Sequence, residues 1–230
     1  MGQITALKGA TTTITDISET VGGKTYVYEL KTPFSVTWNA GTSYTKSETL
    51  QSGVTPANTE VTSFVAADGK TYYFTGWSPT PAPIYDNTTY TAVGTYYEAK
   101  VKIGSGAWTN YEDFLDAWAV IQENANCTIA LLNNVELADK ILYKPEVANA
   151  RTTFDLNNFT LSAGGTVDRL LDFNKTDAQL TITDNSTAKG GKLSIVRTSA
   201  SNIYTVVVSN GELLMTGGTL YAQNNQNTSK

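Results

Sequence analysis

The residues of this chain that could do chemistry are carboxylates and arginines in its second half. Clustered carboxylates can hold calcium, an Arg or Lys can serve as a base, and paired carboxylates can cleave a glycosidic bond. The candidates for these roles are Asp155, Asp168, Asp172, Asp177, Asp184, Arg151, Arg169 and Arg197. They occur singly and scattered, and Asp168, Arg169 and Asp172 have the spacing of solvated ion pairs. We therefore predict that none of them is catalytic and that the protein binds no metal or cofactor.

The absence of histidine excludes most other enzyme chemistry. The sequence contains no histidine, which removes the Ser-His-Asp and Cys-His arrangements and nearly all zinc catalysis. The only cysteine, Cys127, directly precedes an apolar run, and no base is available to activate its thiol. We predict that Cys127 is a small core residue and that the protein is not an enzyme.

Two adjacent pairs of tyrosines are the best candidates for ligand contact. Neighbouring side chains of a strand point to opposite faces, so one tyrosine of each pair must face outward. The pairs are Tyr72 with Tyr73 and Tyr96 with Tyr97. Trp77 could also stack on a sugar ring, but in a small module a tryptophan is more often a core residue, and we predict that role for it.

The composition is typical of a mainly β protein with a neutral polar surface. Of the 230 residues, 40% are hydrophobic and only 16% are charged, which is too polar throughout for a membrane span. Thr, Asn, Ser, Gly and Tyr are abundant, as in strands joined by tight turns. The formal net charge of −5 provides no basic surface for nucleic acid. We expect neither a nucleic-acid partner nor a membrane-spanning segment.

The first 32 residues predict a β-hairpin. Two alternating runs, at 11–17 and 25–30, flank Gly22 and Gly23, and paired glycines favour a tight hairpin turn because both tolerate positive φ. A two-stranded unit is too small to be stable alone. We therefore expect residues 1–32 to pack against a neighbouring domain or to anchor the chain to another protein.

Residues 33–103 predict a small, aromatic-rich β module. The sequence FTGWSP at 74–79 is followed about ten residues later by DNTTYTA at 86–92. Together these two motifs resemble the InlB B-type, or Listeria–Bacteroides, repeat. The resemblance implies a β-grasp-like domain of the kind found in bacterial surface proteins. We expect residues 104–108, which include Gly104, Ser105 and Gly106, to link this module to a separate domain over 109–230.

A single helix is predicted over 109–125. Thr109 and Glu112 have the spacing of a capping box. An apolar stripe then recurs at helical spacing, formed by Phe114, Leu115, Trp118 and Ile121. We expect this helix to cap the open end of a solenoid, with Trp118 in the core that it covers.

From Cys127 onward, short β-type runs recur roughly every ~26 residues, which is typical of stacked repeats. The runs lie at 128–132, 152–156, 179–183, 192–196, 204–208 and 212–215. Their order and spacing resemble the start of a pectate-lyase-like right-handed parallel β-helix, and more closely its adhesin-like members than its lyases. The implied fold is a helix-capped β-solenoid. Asparagines at the turns should adopt left-handed backbone or form amide ladders between coils, namely Asn157, Asn158, Asn185 and Asn210.

Three functions are compatible with these features. The first is a non-enzymatic structural or adhesive protein on the outer face of a phage virion, such as a capsid decoration or fibre component, anchored by residues 1–32 and contacting host glycans. The second is a fragment of a secreted bacterial cell-surface adhesin. The third is a polysaccharide lyase or hydrolase. The start at Met1 without a visible secretory signal slightly favours the virion. An uncapped solenoid end would be covered by further coils or by another subunit, as in a homo-oligomer.

Overall fold

The structure is a computed structural model that describes residues 16–29, 33–164, 167–197 and 202–225. Those residues contain eighteen strands and one helix. The prediction of a mainly β protein is therefore confirmed. The chain divides into two compact units, one formed by Met1–Thr62 and Thr75–Val93 and the other by Ser63–Phe74 and Gly94–Lys230.

The first two strands form an antiparallel hairpin. Strands β1 (Asp16–Val21) and β2 (Lys24–Glu29) pair with Val21 opposite Lys24. Gly22 and Gly23 form the turn, each with positive φ, where the sequence predicts it. β1 extends past the predicted run at 11–17, and β2 corresponds closely to the run at 25–30. The first fifteen residues and residues 30–32 of the expected anchor segment lie outside the described residues.

Five strands with aromatic side chains follow. They are β3 (Pro33–Ala40), β4 (Tyr44–Gln51), β5 (Ser63–Val65), β6 (Thr71–Ser78) and β7 (Thr88–Tyr96). Their order in one sheet is β4-β3-β7-β6-β5. β3 pairs antiparallel with β4 and parallel with β7.

The core of the first unit is built on tryptophan. The Trp38 ring is fully buried and stacks on Tyr90, with 4.6 Å between ring centroids. Its indole N–H donates to Glu48 at 2.8 Å. Trp77 packs against the same cluster, 4.9 Å from Trp38, and its indole N–H donates to the Asn58 carbonyl at 3.2 Å. These contacts agree with the interpretation of Trp77 as a core residue.

The second unit contains the helix and the remaining strands. The helix is α1 (Phe114–Gln122). The strands are β8 (Ala99–Ile103), β9 (Trp108–Tyr111), β10 (Asn126–Leu131), β11 (Val135–Leu137), β12 (Ile141–Tyr143), β13 (Arg151–Asp155), β14 (Thr160–Ala163), β15 (Arg169–Thr183), β16 (Lys192–Arg197), β17 (Tyr204–Met215) and β18 (Thr219–Asn224).

These strands form two sheets with mostly parallel pairing. The larger has the order β12-β15-β13-β10-β8-β9, with β17 also paired to β15. The smaller has the order β11-β14-β16-β18, and all its pairs are parallel. Paired residues of neighbouring parallel strands in these sheets lie 25 to 36 positions apart, as Asn126 does from Arg151 and Asn174 from Asn210. The recurrence of β-runs in the sequence therefore corresponds to parallel pairing with an uneven offset.

The segment predicted as a linker is instead a hairpin turn. Residues 104–107 connect β8 to β9, which pair antiparallel, and the Gly104 N–H donates to the Asn126 carbonyl at 2.7 Å. β8 also pairs with β10, and Ala99 and Val101 lie in the core of the second unit. The structure thus differs from the expected boundary, because β8 contributes apolar side chains to this core.

The helix begins later than the sequence predicts. Thr109 lies in β9, opposite Val101, so the predicted capping box is wrong. The N-cap residue is Asp113, whose carboxylate accepts from the Leu115 N–H at 2.6 Å. A second carboxylate, from Glu98, accepts from the Phe114 N–H at 2.9 Å. Acidic groups therefore do satisfy the helix N-terminus, but from other positions.

Most of the predicted apolar stripe of the helix is buried. Phe114, Trp118 and Ile121 face the core, joined by Ala117, whereas Leu115 is exposed and does not belong to the stripe. The helix packs against β8, β9 and β10.

Several asparagines of the second unit adopt left-handed backbone or hydrogen-bond to a neighbouring strand. Asn157 and Asn158 have φ of 47° and 70°, so the prediction of left-handed backbone is confirmed for both. Asn210 donates its side-chain amide to that of Asn174 at 2.8 Å across the β15–β17 pair, which is the predicted amide contact between strands. Asn185 instead hydrogen-bonds to Asp155 through its backbone and side chain.

Gly191, the second of two adjacent glycines, lies where the second unit leaves no room for a side chain. A Cβ on Gly191 would lie 2.5 Å from the Cβ of Leu156, which is fully buried, and 2.8 Å from Oδ2 of Asp184. We expect Gly191→Ala to lower the free energy of unfolding by about 1–3 kcal/mol, because neighbouring groups must move. The control is Gly76→Ala, since a Cβ there would meet no atom within 4 Å. Chemical denaturation of both variants measures the difference, and equal stability would contradict the packing argument.

Candidate functional site

The four candidate tyrosines form two cross-strand pairs. Tyr72 and Tyr73 are adjacent in β6 and therefore point to opposite faces. The Tyr72 ring lies 5.8 Å from Tyr96 and the Tyr73 ring lies 5.6 Å from Tyr97. All four side chains are half-buried. Each ring thus packs against its partner and remains partly exposed.

Charged groups surround the first of these pairs. The Tyr72 hydroxyl donates to Oδ2 of Asp68 at 3.0 Å, and the Lys70 ammonium lies 4.4 Å from the centre of the Tyr96 ring. The Tyr96 hydroxyl donates to Oε1 of Glu98 at 3.4 Å. We call Asp68, Lys70, Tyr72 and Tyr96 the tyrosine cluster.

The protonation states of this cluster follow from those contacts. The hydrogen bond to Asp68, with burial, raises the pKa of Tyr72. Burial, together with the charge of Glu98, raises the pKa of Tyr96 to about 12. The Lys70 backbone N–H donates to Asp68 at 2.9 Å, and this bond and the one from Tyr72 lower the pKa of Asp68. Near neutral pH the cluster therefore presents neutral phenols beside the Asp68 carboxylate.

A pocket of about 270 Å³ shares two residues with this cluster. It is lined by Asp68, Gly69, Lys70, Thr71, Asn133, Asn134 and Phe159. Its lining thus combines both signs of charge, side-chain amides and an aromatic ring. Such a mixture can hydrogen-bond and stack on a small polar ligand.

The wall of the pocket is fixed by a buried asparagine. The Asn133 side chain accepts from the Thr71 N–H at 2.9 Å and donates to the carbonyls of Thr71 and Tyr97 at 3.1 and 2.8 Å. The amide oxygen of Asn134 accepts from the Thr160 N–H at 2.8 Å. Asn133 thus hydrogen-bonds to both the N–H and the carbonyl of Thr71, the first residue of β6, and so holds the Asp68–Thr71 turn against the pocket.

The residues weighed as catalytic candidates do not form a common site. Arg169 contacts Asp168 at 2.9 Å and Asp172 at 3.5 Å, which agrees with their interpretation as ion pairs. Asp155 binds the N–H groups of Asn157 and Asn185. The other acids are used in the same local way: Asp177 accepts from the Asn149 N–H, and Asp184 accepts from Asn158, Ser186 and Gly191.

In residues 16–29, 33–164, 167–197 and 202–225, no group of three or more His, Cys, Asp or Glu side chains is placed to hold a metal ion. The part of the chain that the structure describes has no helix with the length and apolar character needed to cross a membrane.

Cys127 is buried in the core of the second unit, as predicted. Burial raises the pKa of its thiol, so the thiolate is disfavoured. Its Sγ lies 3.8 Å from the Asn124 carbonyl.

Sequence reasoning missed the residues that build the pocket. Asn133 and Asn134 follow directly after an apolar strand, a position where turns are expected, and that was the only local signal for them. Asn133 reaches Thr71 across 62 positions of sequence. Lys70 and Tyr96 meet only because β6 and β7 lie in one sheet.

Comparison with known proteins gave no relative: no family model, no curated protein and no solved structure matches this chain. The resemblances to the InlB B-type repeat and to the pectate-lyase-like β-helix therefore stay predictions from the sequence.

Proposed function

We propose that this chain is a non-enzymatic display protein that contacts glycans, mounted on the outer face of a phage virion as a decoration or fibre component. The observation that carries the glycan contact is the tyrosine cluster beside its pocket. Partly exposed rings can stack on sugar rings, and the phenols, the Asp68 carboxylate and the Lys70 ammonium supply hydrogen-bond donors and acceptors.

We also infer that the parallel part of the chain is a right-handed β-solenoid that serves as a stiff support. Parallel pairing from β10 through β13 and β15 to β17, and from β11 through β14 and β16 to β18, supports this inference. Stacked coils form a stiff support, and a chain displayed in many copies on a virion suits weak multivalent contact.

The hairpin β1–β2 is proposed as the anchor to another virion protein. An isolated two-stranded hairpin is only marginally stable in water. Contact with a second protein would supply the apolar burial that a two-stranded unit needs.

The non-enzymatic character is supported by the state of the acids. Catalysis by paired carboxylates needs two acids that face one scissile bond. The acids weighed as catalytic candidates instead bind backbone N–H groups or lysine and arginine side chains, namely Asp155, Asp168, Asp172, Asp177 and Asp184.

The experiment is a mixed array of neutral and anionic glycans, probed with the wild-type chain and with Lys70→Ala. Lys70 is exposed, so its truncation should leave the fold intact. We expect wild-type binding to a defined set of glycans and about a tenfold loss in Lys70→Ala, as for one charge-assisted hydrogen bond. The matched control is Lys144→Ala, another exposed lysine, which should bind normally.

The same samples are assayed for released reducing ends and for unsaturated products. Cleavage of any glycan by the purified chain would overturn the non-enzymatic proposal. Binding to no glycan, or equal loss in both lysine variants, would overturn the assignment of the tyrosine cluster.

A further inference from the structure

An exposed tryptophan lies between two lysines at the edge of the larger sheet. Trp108, in the edge strand β9, pairs with Lys102 of β8, and its side chain is 41% exposed. The ammonium groups of Lys100 and Lys102 lie 4.6 and 5.1 Å from the centre of the indole ring. Cation–π contact holds both amines against one flat apolar surface.

In the part of the chain that the structure describes, the ammonium groups of Lys100 and Lys102 form no ion pair with a carboxylate. Among the residues described in the structure, neither Lys100 nor Lys102 has a carboxylate within 4 Å, whereas Lys46, Lys140 and Lys175 each pair with one. The chain as a whole has a net charge of −5. A local positive site on a negative protein selects for ligands whose own negative charge meets that site.

A row of hydroxyl groups continues from this site across the sheet. Lys102 lies opposite Thr128, which lies opposite Thr153, which in turn lies opposite Thr181. The residues on either side of each threonine are buried, for example Cys127 and Ile129 beside Thr128, so the threonines face away from the core. Their strands are spaced about 4.8 Å apart. The row therefore offers neutral hydrogen-bonding groups at regular intervals.

We propose that Trp108, Lys100 and Lys102 bind a polysaccharide bearing carboxylate or sulfate groups, which lies along the row of Thr128, Thr153 and Thr181. This inference rests on the proposed role in glycan contact and assigns to it a second site and a ligand charge. The anionic group binds the two amines, and the neutral part of the polymer contacts the threonine hydroxyls. A nucleic acid, with a phosphate on every nucleotide, would need a longer basic surface than two lysines.

The test uses three polymers with one backbone: dextran, carboxymethyl-dextran and dextran sulfate. We expect the wild-type chain to bind both anionic polymers and not dextran, with binding that weakens as salt rises. The double variant Lys100→Gln/Lys102→Gln should lose at least about tenfold in affinity, and Trp108→Ala should weaken binding as well. Each single lysine variant is measured too, so that a folding defect in the double variant leaves the result interpretable. Lys144→Gln, at an exposed position elsewhere, is the control and should bind normally.

The possible results separate this inference from the proposed function. If anionic dextrans bind equally well to the double variant, the site at Trp108 is wrong, while array binding that depends on Lys70 would still support the glycan role. If the chain binds neither the dextrans nor any glycan on the array, both are wrong. If an oligo(dT) strand binds as tightly as dextran sulfate and with the same dependence on the lysines, the ligand class is wrong.

Discussion

Trp118→Ala is expected to lower the free energy of unfolding by about 3–5 kcal/mol, the usual loss when a large buried ring is truncated. Trp118 is 5% exposed, and its ring lies between 5.6 and 6.0 Å from the rings of Phe114, Phe154 and Tyr143. Its indole N–H donates to the Leu142 carbonyl at 2.9 Å. The alanine variant loses this hydrogen bond and leaves a cavity where helix, β12 and β13 meet.

Urea denaturation followed by far-UV circular dichroism measures this change. The matched control is Leu115→Ala on the same helix, because Leu115 is 52% exposed and should change the free energy of unfolding by less than about 1 kcal/mol. Trp118→Phe keeps an aromatic ring but removes the N–H, so it should lie between the two. If Trp118→Ala unfolds at the same urea concentration as Leu115→Ala, the helix does not stabilise this core.

The helix shows how far apolar periodicity predicts structure. Phe114, Trp118 and Ile121 are buried as their spacing predicts, since a stripe at helical spacing must face a core. The start of the helix was not predictable in the same way. Thr109 lies in β9 and pairs with Val101 of β8. This strand pairing takes precedence over the local preference of threonine for the N-cap of a helix. The Glu98 carboxylate that contacts the helix N-terminus comes from outside the local sequence.

The candidate site shows the same limit. The contact of Asp68 with Tyr72 is local, across four positions, and follows from the turn before β6. The contacts of Lys70 with Tyr96 and of Asn133 with Thr71 depend on which strands become neighbours. The residue pattern of one strand does not specify which strand becomes its neighbour. The adjacent tyrosines therefore predicted partly exposed rings, but they did not predict the contacts between the rings or the pocket.

One of the acids weighed as a catalytic candidate has a structural role. Asp184 is 1% exposed. Its Oδ1 accepts from the N–H groups of Asn158 and Ser186, both at 3.1 Å, and from the Ser186 hydroxyl at 2.6 Å. Its Oδ2 accepts from the Gly191 N–H at 2.7 Å. One carboxylate thus accepts hydrogen bonds from the segment that leads into β14, at Asn158, and from the segment that leads into β16, at Gly191. β14 and β16 are neighbours in the smaller sheet.

Asp184→Asn is expected to lower the free energy of unfolding by about 3 kcal/mol near neutral pH. An amide has only one oxygen, so its NH₂ group must face either the Gly191 N–H or the Asn158 and Ser186 donors. At least one buried donor then lacks an acceptor, and the bonds to a charged group are lost. The control is Asp86→Asn, at an exposed position, which should change little. A variant as stable as the control would show that the hydrogen bonds to Asp184 are not important for folding.

The stability difference between wild type and Asp184→Asn should also depend on pH. Burial alone would raise the pKa of Asp184, but the hydrogen bonds from Ser186, Gly191 and Asn158 outweigh it and lower the pKa below its usual value of 3.8. A carboxyl group with a depressed pKa in the folded state stabilises the fold above its unfolded pKa, and the stabilisation is lost as pH falls through the folded pKa. The difference should therefore be full near about pH 7 and shrink below about pH 4. Taking the difference between two chains that share every other carboxyl group removes the titration of Asp68, Asp168 and Asp177. A difference that stays constant down to about pH 2 would mean that the carboxylate form of Asp184 contributes nothing to stability.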